Sequence, residues 1–539
     1  MSLDFDDWGI DIYISSAWVS VKNDVCQEPG PRWSRGVMDN GPTDRVGATT
    51  TLRFELRNDA SNSAGLVGYY SPGHTNALSG FTTGIPVRLW FMFEGRTFYK
   101  FYGLIEPNGI TPTAGIYGQR RTKVSVQNFM AQAANHEMNL TTIAINKRID
   151  EAVPLIVSNM IIQPLATSYN AGVDTFPTVF DATGVGGSAT SEFGKLALSE
   201  FGMIYDKGDE TGGETLVVEG RNTRSNVSNT ILPKTVAESG LLLLEDGGYL
   251  LLEDSSTGRM VLSEGQEASF DNVMLTESMR VSYGKHQANR IRGITAVRKV
   301  DTAATTILYS LPSAIQMSAG QTLTVRGTYR DPNGGASYVN ADSSSMTKTY
   351  AAYANSDGTG SNLTANLSVT ANYGTSEVEF ILTATAALWV TQLNAIGKGI
   401  YLYDPLSVIY DDIAAQSAGV FQITFDMAYQ SDPNKTDAFA NYTLGLESSP
   451  NTTVDRCPLI ANVSSMNMYG FLILEPGTRA HFKEDQTGID GDYFINGYEA
   501  EMFGGRYVIY SPVLKSAAAS SFAVWDSSQW DNAAWGFPD

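Results

Sequence analysis

Apolar and polar positions alternate with period two over several stretches of the chain. Leu52, Phe54 and Leu56 alternate with Thr51, Arg53, Glu55 and Arg57, the pattern of a half-buried strand. Val87, Leu89, Phe91 and Phe93 repeat it, and Glu94-Gly95-Arg96 turns that run into a third from Phe98 to Ile105. Turn chemistry after each run predicts an antiparallel meander or barrel. Upstream, Ile10, Ile12 and Ile14 alternate with Asp11 and Tyr13, Trp18 to Val21 follows, and Pro29 to Pro31 ends the strand pair. Val124 and Val126, within a basic run from Arg120 to Met130, predict an outer strand protected by charge. Leu52, Phe54, Leu56, Val87, Leu89, Phe91 and Ile105 are expected to form the core, with Arg53, Glu55 and Arg88 facing away.

After residue 130 the spacing turns helical. Ala131 to Ala134, Ile149 to Ile162 and Ser191 to Phe201 predict helices, and Pro154 is tolerated near a first turn. Gly202 to Tyr205 and Glu214 to Gly220 predict a hairpin, which makes a small α/β module. A short repeat follows, Leu242 to Asp246 recurring as Leu250 to Asp254, and reads as a hairpin insertion that packs on a neighbour. Strands resume over 269–297. Alternation at Leu323, Val325 and Tyr329, and at Leu367, Val369, Val378 and Phe380, predicts an inserted antiparallel sandwich. Asp331 to Gly335 is one of its turns. The last predicted helix is Ser431 to Leu446, and Val463 to Leu514 reads as β throughout.

The fold class is therefore mainly β (α+β) and multidomain. The expected divisions are 1–130, a first barrel; 131–235, the α/β module; and 236–269, the Leu-rich insertion. Residues 270–300 and 450–515 form a discontinuous second barrel, interrupted by the sandwich at 301–415 and a connecting strand and helix at 416–449. Residues 516–539 form a Trp-rich tail. A length of 539 residues fits several domains at about 150 residues each.

Charge narrows the function. The formal net charge of −21 argues against binding the DNA backbone, which needs Lys and Arg to neutralise phosphates. It suits a surface that DNA passes without adhering. Cys26 and Cys457 are too few and too far apart for a disulfide framework and read as free thiols. The acidic start lacks a signal-peptide pattern, and no apolar run of 18 residues exists to span a membrane.

Candidate chemistry is sparse. His74, His136, His286 and His481 lack metal-ligand spacing. Gly184 to Ser188 is Gly-rich without the phosphate-loop Lys-Ser/Thr. Asp485 to Asp492 approaches a calcium loop, yet position twelve is Asn496 rather than Glu. The aromatic clusters at Phe91 to Tyr102 and Trp525 to Trp535 read as core or interface. No catalytic, cofactor-binding or metal residue is singled out, and no cofactor is expected.

One set of motifs resembles a known family. Asp44-Arg45-Val46, Leu52 to Asn58, Gly68 to Gly73, Gly84 to Leu89 and Phe101 to Pro107 together resemble the first domain of tail hub and tail-tip (baseplate hub) proteins of tailed bacteriophages. Shorter echoes are Trp18 to Val21, Leu198 to Tyr205, Val218 to Arg221, Asn289 to Ile291, Thr487 to Ile495 and Phe522 to Phe537, the last with Trp535 where the pattern has Leu. The resemblance implies a non-enzymatic structural hub with two hub-type β-barrels, a homotrimer that caps the tail tube and forms part of the DNA-ejection conduit. It implies distal tail and tube proteins, tape measure protein and tail fibre or tip proteins as partners, without sequence-specific nucleic acid binding. The location would be the virion tail tip, assembled in the host cytoplasm. The alternative is a receptor- or carbohydrate-binding tail adhesin; an all-β polysaccharide hydrolase is a third reading without a recognisable site.

Overall fold

A computed structural model describes residues 5–517, apart from 94, 115–119, 139–142, 182–186, 209–211, 225–231, 235–258, 262–267, 271–278, 450, 464 and 506. The fold is mainly β, as the alternation predicts. The first seven strands are β1 (Asp7–Ile14), β2 (Ala17–Ser20), β3 (Arg32–Gly36), β4 (Thr51–Arg57), β5 (Pro86–Phe93), β6 (Arg96–Pro112) and β7 (Arg121–Gln127). They pair in the order β3-β4-β7-β6-β5-β1-β2. The seven expected core residues are all buried, Phe54 the least so at 3% exposure. Arg53 is exposed and Glu55 half-buried on the other face. Arg88 also faces away from the core, but a second layer covers it: its Nε donates to Asp11 at 2.9 Å beneath the Trp18 ring.

Strand β3 joins the two regions expected to form barrels. That strand pairs with β4 at only two positions, then runs antiparallel to Ile489–Phe503 from Arg32↔Glu501 to Gly36↔Gly497. Gly36 ends it at φ +84°, where the backbone closes on Asn496 too tightly for a Cβ. Because β3 passes its hydrogen bonds to a distant strand, the sheet continues instead of closing. Among the described residues it is one open sheet of twelve strands, which also takes in Ala268–Phe270, Leu459–Ile460, Arg479–Glu484 and Tyr507–Ser516. One core serves the whole sheet: Trp33 and Phe91 from the first strands pack against Phe471, which in turn packs on Tyr510. Of residues 270–300, Arg280–Tyr283 pairs Thr452–Arg456, whereas Arg290–Thr295 pairs Leu406–Asp411 and Gln422–Met427 in a separate sheet.

Helices α1 (Phe129–Asn135), α2 (Ile149–Asn159) and α3 (Ala189–Glu200) pack with the hairpin Met203–Lys207/Thr215–Glu219 around a second core. Asn128 and Ser188 cap α1 and α3 through their side chains. Strands Thr306–Ser310, Leu388–Gly397 and Thr347–Tyr353 lie in one antiparallel sheet of the 301–415 region, and Thr322–Thr328, Glu377–Ala384 and Leu367–Tyr373 in another, over a shared core. Helix α4 (Pro433–Glu447) begins at Pro433 behind the cap Asp432. Helix α5 (Ser465–Ile473) replaces a predicted strand. Its first residues alternate Ser465, Met466, Asn467 and Met468 as a strand would, and Met468, Phe471 and Leu472 are buried in the main core. The Leu-rich repeat from Leu242 to Asp254 lies outside the described residues.

Candidate functional site: a buried charge seam and an adjoining cavity

The residues that carry the family resemblance occupy architectural positions. Ile204 donates its N–H to the Arg45 carbonyl at 2.9 Å, and Gly47 donates to the Ile204 carbonyl at 2.7 Å, so Asp44-Arg45-Val46 joins the first sheet to the α/β module. Asn58 organises the loop after β4: its Nδ2 donates to Ser71 Oγ at 2.7 Å and its Oδ1 accepts from Tyr70 N at 2.8 Å. The hydroxyl of Tyr70 donates to the buried Asp24 at 2.6 Å, and Ser63 donates to the same carboxylate. Gly103 lies where β6 passes β7 so closely that a Cβ would strike the Gln127 carbonyl.

A second group of residues carried no sequence signal. Arg35 is fully buried and uses its whole fork: Nε donates to Asp206 at 3.2 Å, Nη1 to the Lys100 carbonyl at 3.2 Å and Nη2 to the Gly213 carbonyl at 2.8 Å. Burial works against its charge, yet Asp206, Tyr498 and Glu475 outweigh burial and hold its pKa above the ordinary guanidinium value. Lys100 forms an ion pair with Glu475 and donates to the Phe471 carbonyl at 3.0 Å. Glu475 also accepts from Gly208 N at 2.8 Å and from the Tyr498 hydroxyl at 3.2 Å. This seam ties β3, β6, the module hairpin and the Ile489–Phe503 strand together. It is closed to solvent, so it clamps segments and offers nothing to a substrate. Farther out, Arg298 meets Asp181 at 2.6 Å, and Asp174 pairs with both Arg221 and Lys435.

An open cavity of 520 Å³ adjoins the seam. Its walls include the Asn40–Arg45 loop, the end of the module hairpin, the last turns of α4, Asn451 to Val454, Tyr493 and Phe494, and the end of Tyr507–Ser516. Phe201, the residue that ends α3, adopts the left-handed conformation at φ +60°, unusual for an aromatic residue. Its ring lies flat on Phe439 at 4.8 Å, and the Arg45 guanidinium sits 3.6 Å from the ring centroid. Burial, and then the neighbouring Arg224, lowers the Arg45 pKa to about 9. Burial, and then Arg45, lowers Lys515 to about 8. Burial raises Glu447.

The other residues considered from sequence lie apart. His286 bonds Asn40 at 2.7 Å at the cavity, whereas His481 lies between Asp490 and Asp492 on a hairpin. Asp485 to Asp492 includes that hairpin's turn, where Glu484 accepts from Gln486 N and Thr487 N. Ser188 caps α3, and residues 184–186 of the Gly-rich stretch lie outside the described set, as does Trp525 to Trp535. Cys26 and Cys457 are buried free thiols, and burial pushes Cys457 up to about 12. The cavity was only partly legible in sequence: Arg45 stands in a motif, but nothing local marks Lys515 or Tyr442.

No protein-family model and no curated protein matches the chain. Among solved structures it is similar to the tail protein from Neisseria meningitidis MC58, at 8% identity and a TM-score of 0.45 over 95% of this chain and 98% of that one. It is similar to the 43 kDa tail protein of prophage MuSo2 from Shewanella oneidensis, at 8% identity and a TM-score of 0.45 over 95% and 99%. A third similar structure is an E. coli component of the type VI secretion system, described as similar to T4 bacteriophage tail proteins, at 9% identity and a TM-score of 0.33 over 92% and 74%. These are likenesses in the course of the chain, and none carries a function over.

Proposed function

We propose that this chain is a structural subunit of a phage-type tail tip, a hub that caps the tail tube and lines part of the passage for DNA. The observation that carries the reading is the clamp of Arg35–Asp206 and Lys100–Glu475, which ties strands β3 and β6 of the large sheet to the α/β module and to the segment that leads into Arg479–Glu484. A subunit that transmits force along a tube needs such a body, and the motifs resembling hub proteins are spent on building it. The role is structural rather than enzymatic. The net charge of −21 suits a wall that repels phosphate. The assembly would be a homotrimer in the virion, in contact with tube, tape measure and fibre proteins, and formed in the host cytoplasm. Exposed Leu406, Ile409, Ile413, Val420 and Phe421, on one strand–loop segment, offer apolar surface for such contacts.

The test is antibody labelling of intact particles seen by electron microscopy, with sedimentation of the purified chain. Label at the tube end and a mass three times that of the chain are expected. Label along a fibre would replace the hub with the adhesin reading.

A further inference from the structure

Two cations of the cavity, Arg45 and Lys515, form no ion pair with a carboxylate among the described residues, although Asp44 acts on both from nearby and Glu447 acts on Lys515. Arg224 is paired with Glu219 at 2.8 Å, and Arg221 with Asp174. Among the described residues Arg45 donates to carbonyls alone, of Pro42 at 3.0 Å and Phe201 at 2.8 Å, with a longer contact to Gly202. Lys515 reaches the Gly41 carbonyl at 3.4 Å. Nη2 of Arg224 is buried without a hydrogen-bond acceptor among the described residues. In a chain of net charge −21, two half-buried cations left on neutral acceptors in a 520 Å³ cavity are arranged for an anion. The remaining walls mix polar groups, among them the carboxylates Asp44, Glu219 and Glu447, with aromatic and aliphatic side chains: Phe201, Tyr442, Tyr493, Phe494, Leu446 and Leu514. A ligand that satisfies both features pairs a carboxylate with a flat apolar ring.

The chain carries that chemistry next to the cavity. Tyr507–Ser516 forms one wall, with Lys515 and Ser516 among the lining residues. Residues 518–539 follow directly, contain Trp525-Asp526 and Trp530-Asp531, and have neither Lys nor Arg. Trp525 lies ten positions after Lys515, a span of up to about 33 Å when extended. We propose that this cavity is a binding site for an acidic aromatic segment, a Trp-Asp unit whose carboxylate meets Arg45 and Lys515 and whose ring packs on Tyr442, and that residues 518–539 of the same chain supply it.

The test uses the full chain and a fluorescein-labelled peptide of residues 521–533, followed by anisotropy. The parent chain should bind this peptide weakly, because its own segment competes. Asp526→Asn with Asp531→Asn should tighten peptide binding by about tenfold, and adding Lys515→Gln should reverse the gain. Peptide binding that is unchanged by the double substitution, or that survives Lys515→Gln, would overturn the assignment. A photo-crosslinking benzoylphenylalanine in place of Trp530 gives a second readout. Crosslinks to Tyr442–Glu447 at the mass of a single chain are expected. Crosslinks only at the mass of two chains would overturn the same-chain assignment in favour of exchange between copies.

Discussion

Glu214 shows how much a single buried group can set the response of the molecule to pH. Its carboxyl is almost fully buried, accepts from Phe129 N at 3.0 Å and lies near Asp206; burial, and then that neighbour, raises its pKa from 4.5 to about 8. The folded chain therefore keeps a proton between pH 4.5 and 8 that the unfolded chain releases. The stability this group contributes is complete below its unfolded value and is lost as the pH rises through about 8. Glu214→Gln keeps an acceptor for Phe129 and removes the titration. Its melting temperature should exceed the parent's at pH 8.5, with the gap shrinking toward pH 4.5; a gap that widens toward acid would refute this account. None of this was legible in the sequence. Glu214 stands in an ordinary strand entry, and Arg35 and Lys100 are polar residues whose partners lie 171 and 375 positions away. Only packing shows which charges are buried and which partner satisfies them.

At the level of elements, alternation was the dependable signal where one face of a strand is buried and the other is not. In β4 the burial pattern follows the sequence position by position, because a slip of one residue would expose Leu52, Phe54 and Leu56 together. Phe54→Ala should therefore cost about 3–5 kcal/mol of stability, whereas Arg53→Ala on the exposed face should leave the denaturation midpoint nearly unchanged. Equal midpoints for the two variants would mean the register is wrong. The same reading failed for α5. Ser465 to Met468 alternate polar and apolar with period two, so a helix buried in the main core looks like a run of strand. It was also silent on pairing. Alternation tells which way a strand faces but not which strand it pairs with, and the departure of β3 toward Ile489–Phe503 is a long-range choice. The cavity was illegible for a related reason, since its walls come from stretches as far apart in the chain as Asn40, Phe201, Tyr442 and Leu514.

Across the whole molecule, a few buried ion pairs hold the parts in register. The Arg298–Asp181 pair has side chains with 0% and 1% exposure and joins the base of the 301–415 region to the α/β module. Removing one partner leaves the other charge buried and alone, which costs about 3–5 kcal/mol. Arg298→Met should split the thermal transition and release the 301–415 region early to trypsin; a single melt at the parent temperature would show that the junction does not depend on this pair. The shared sheet carries a further consequence for synthesis on the ribosome. Strand β3 leaves the exit tunnel early, but the partner for Gly36 is Gly497, about 460 residues later. At about 5–20 residues per second, that interval is roughly half a minute to a minute and a half. Throughout it, the nascent chain presents an unpaired β edge beside an unfinished core. Such an edge invites pairing with other nascent chains, so the yield of this protein in a cell is set by how well that waiting edge is shielded as much as by the stability of the finished fold.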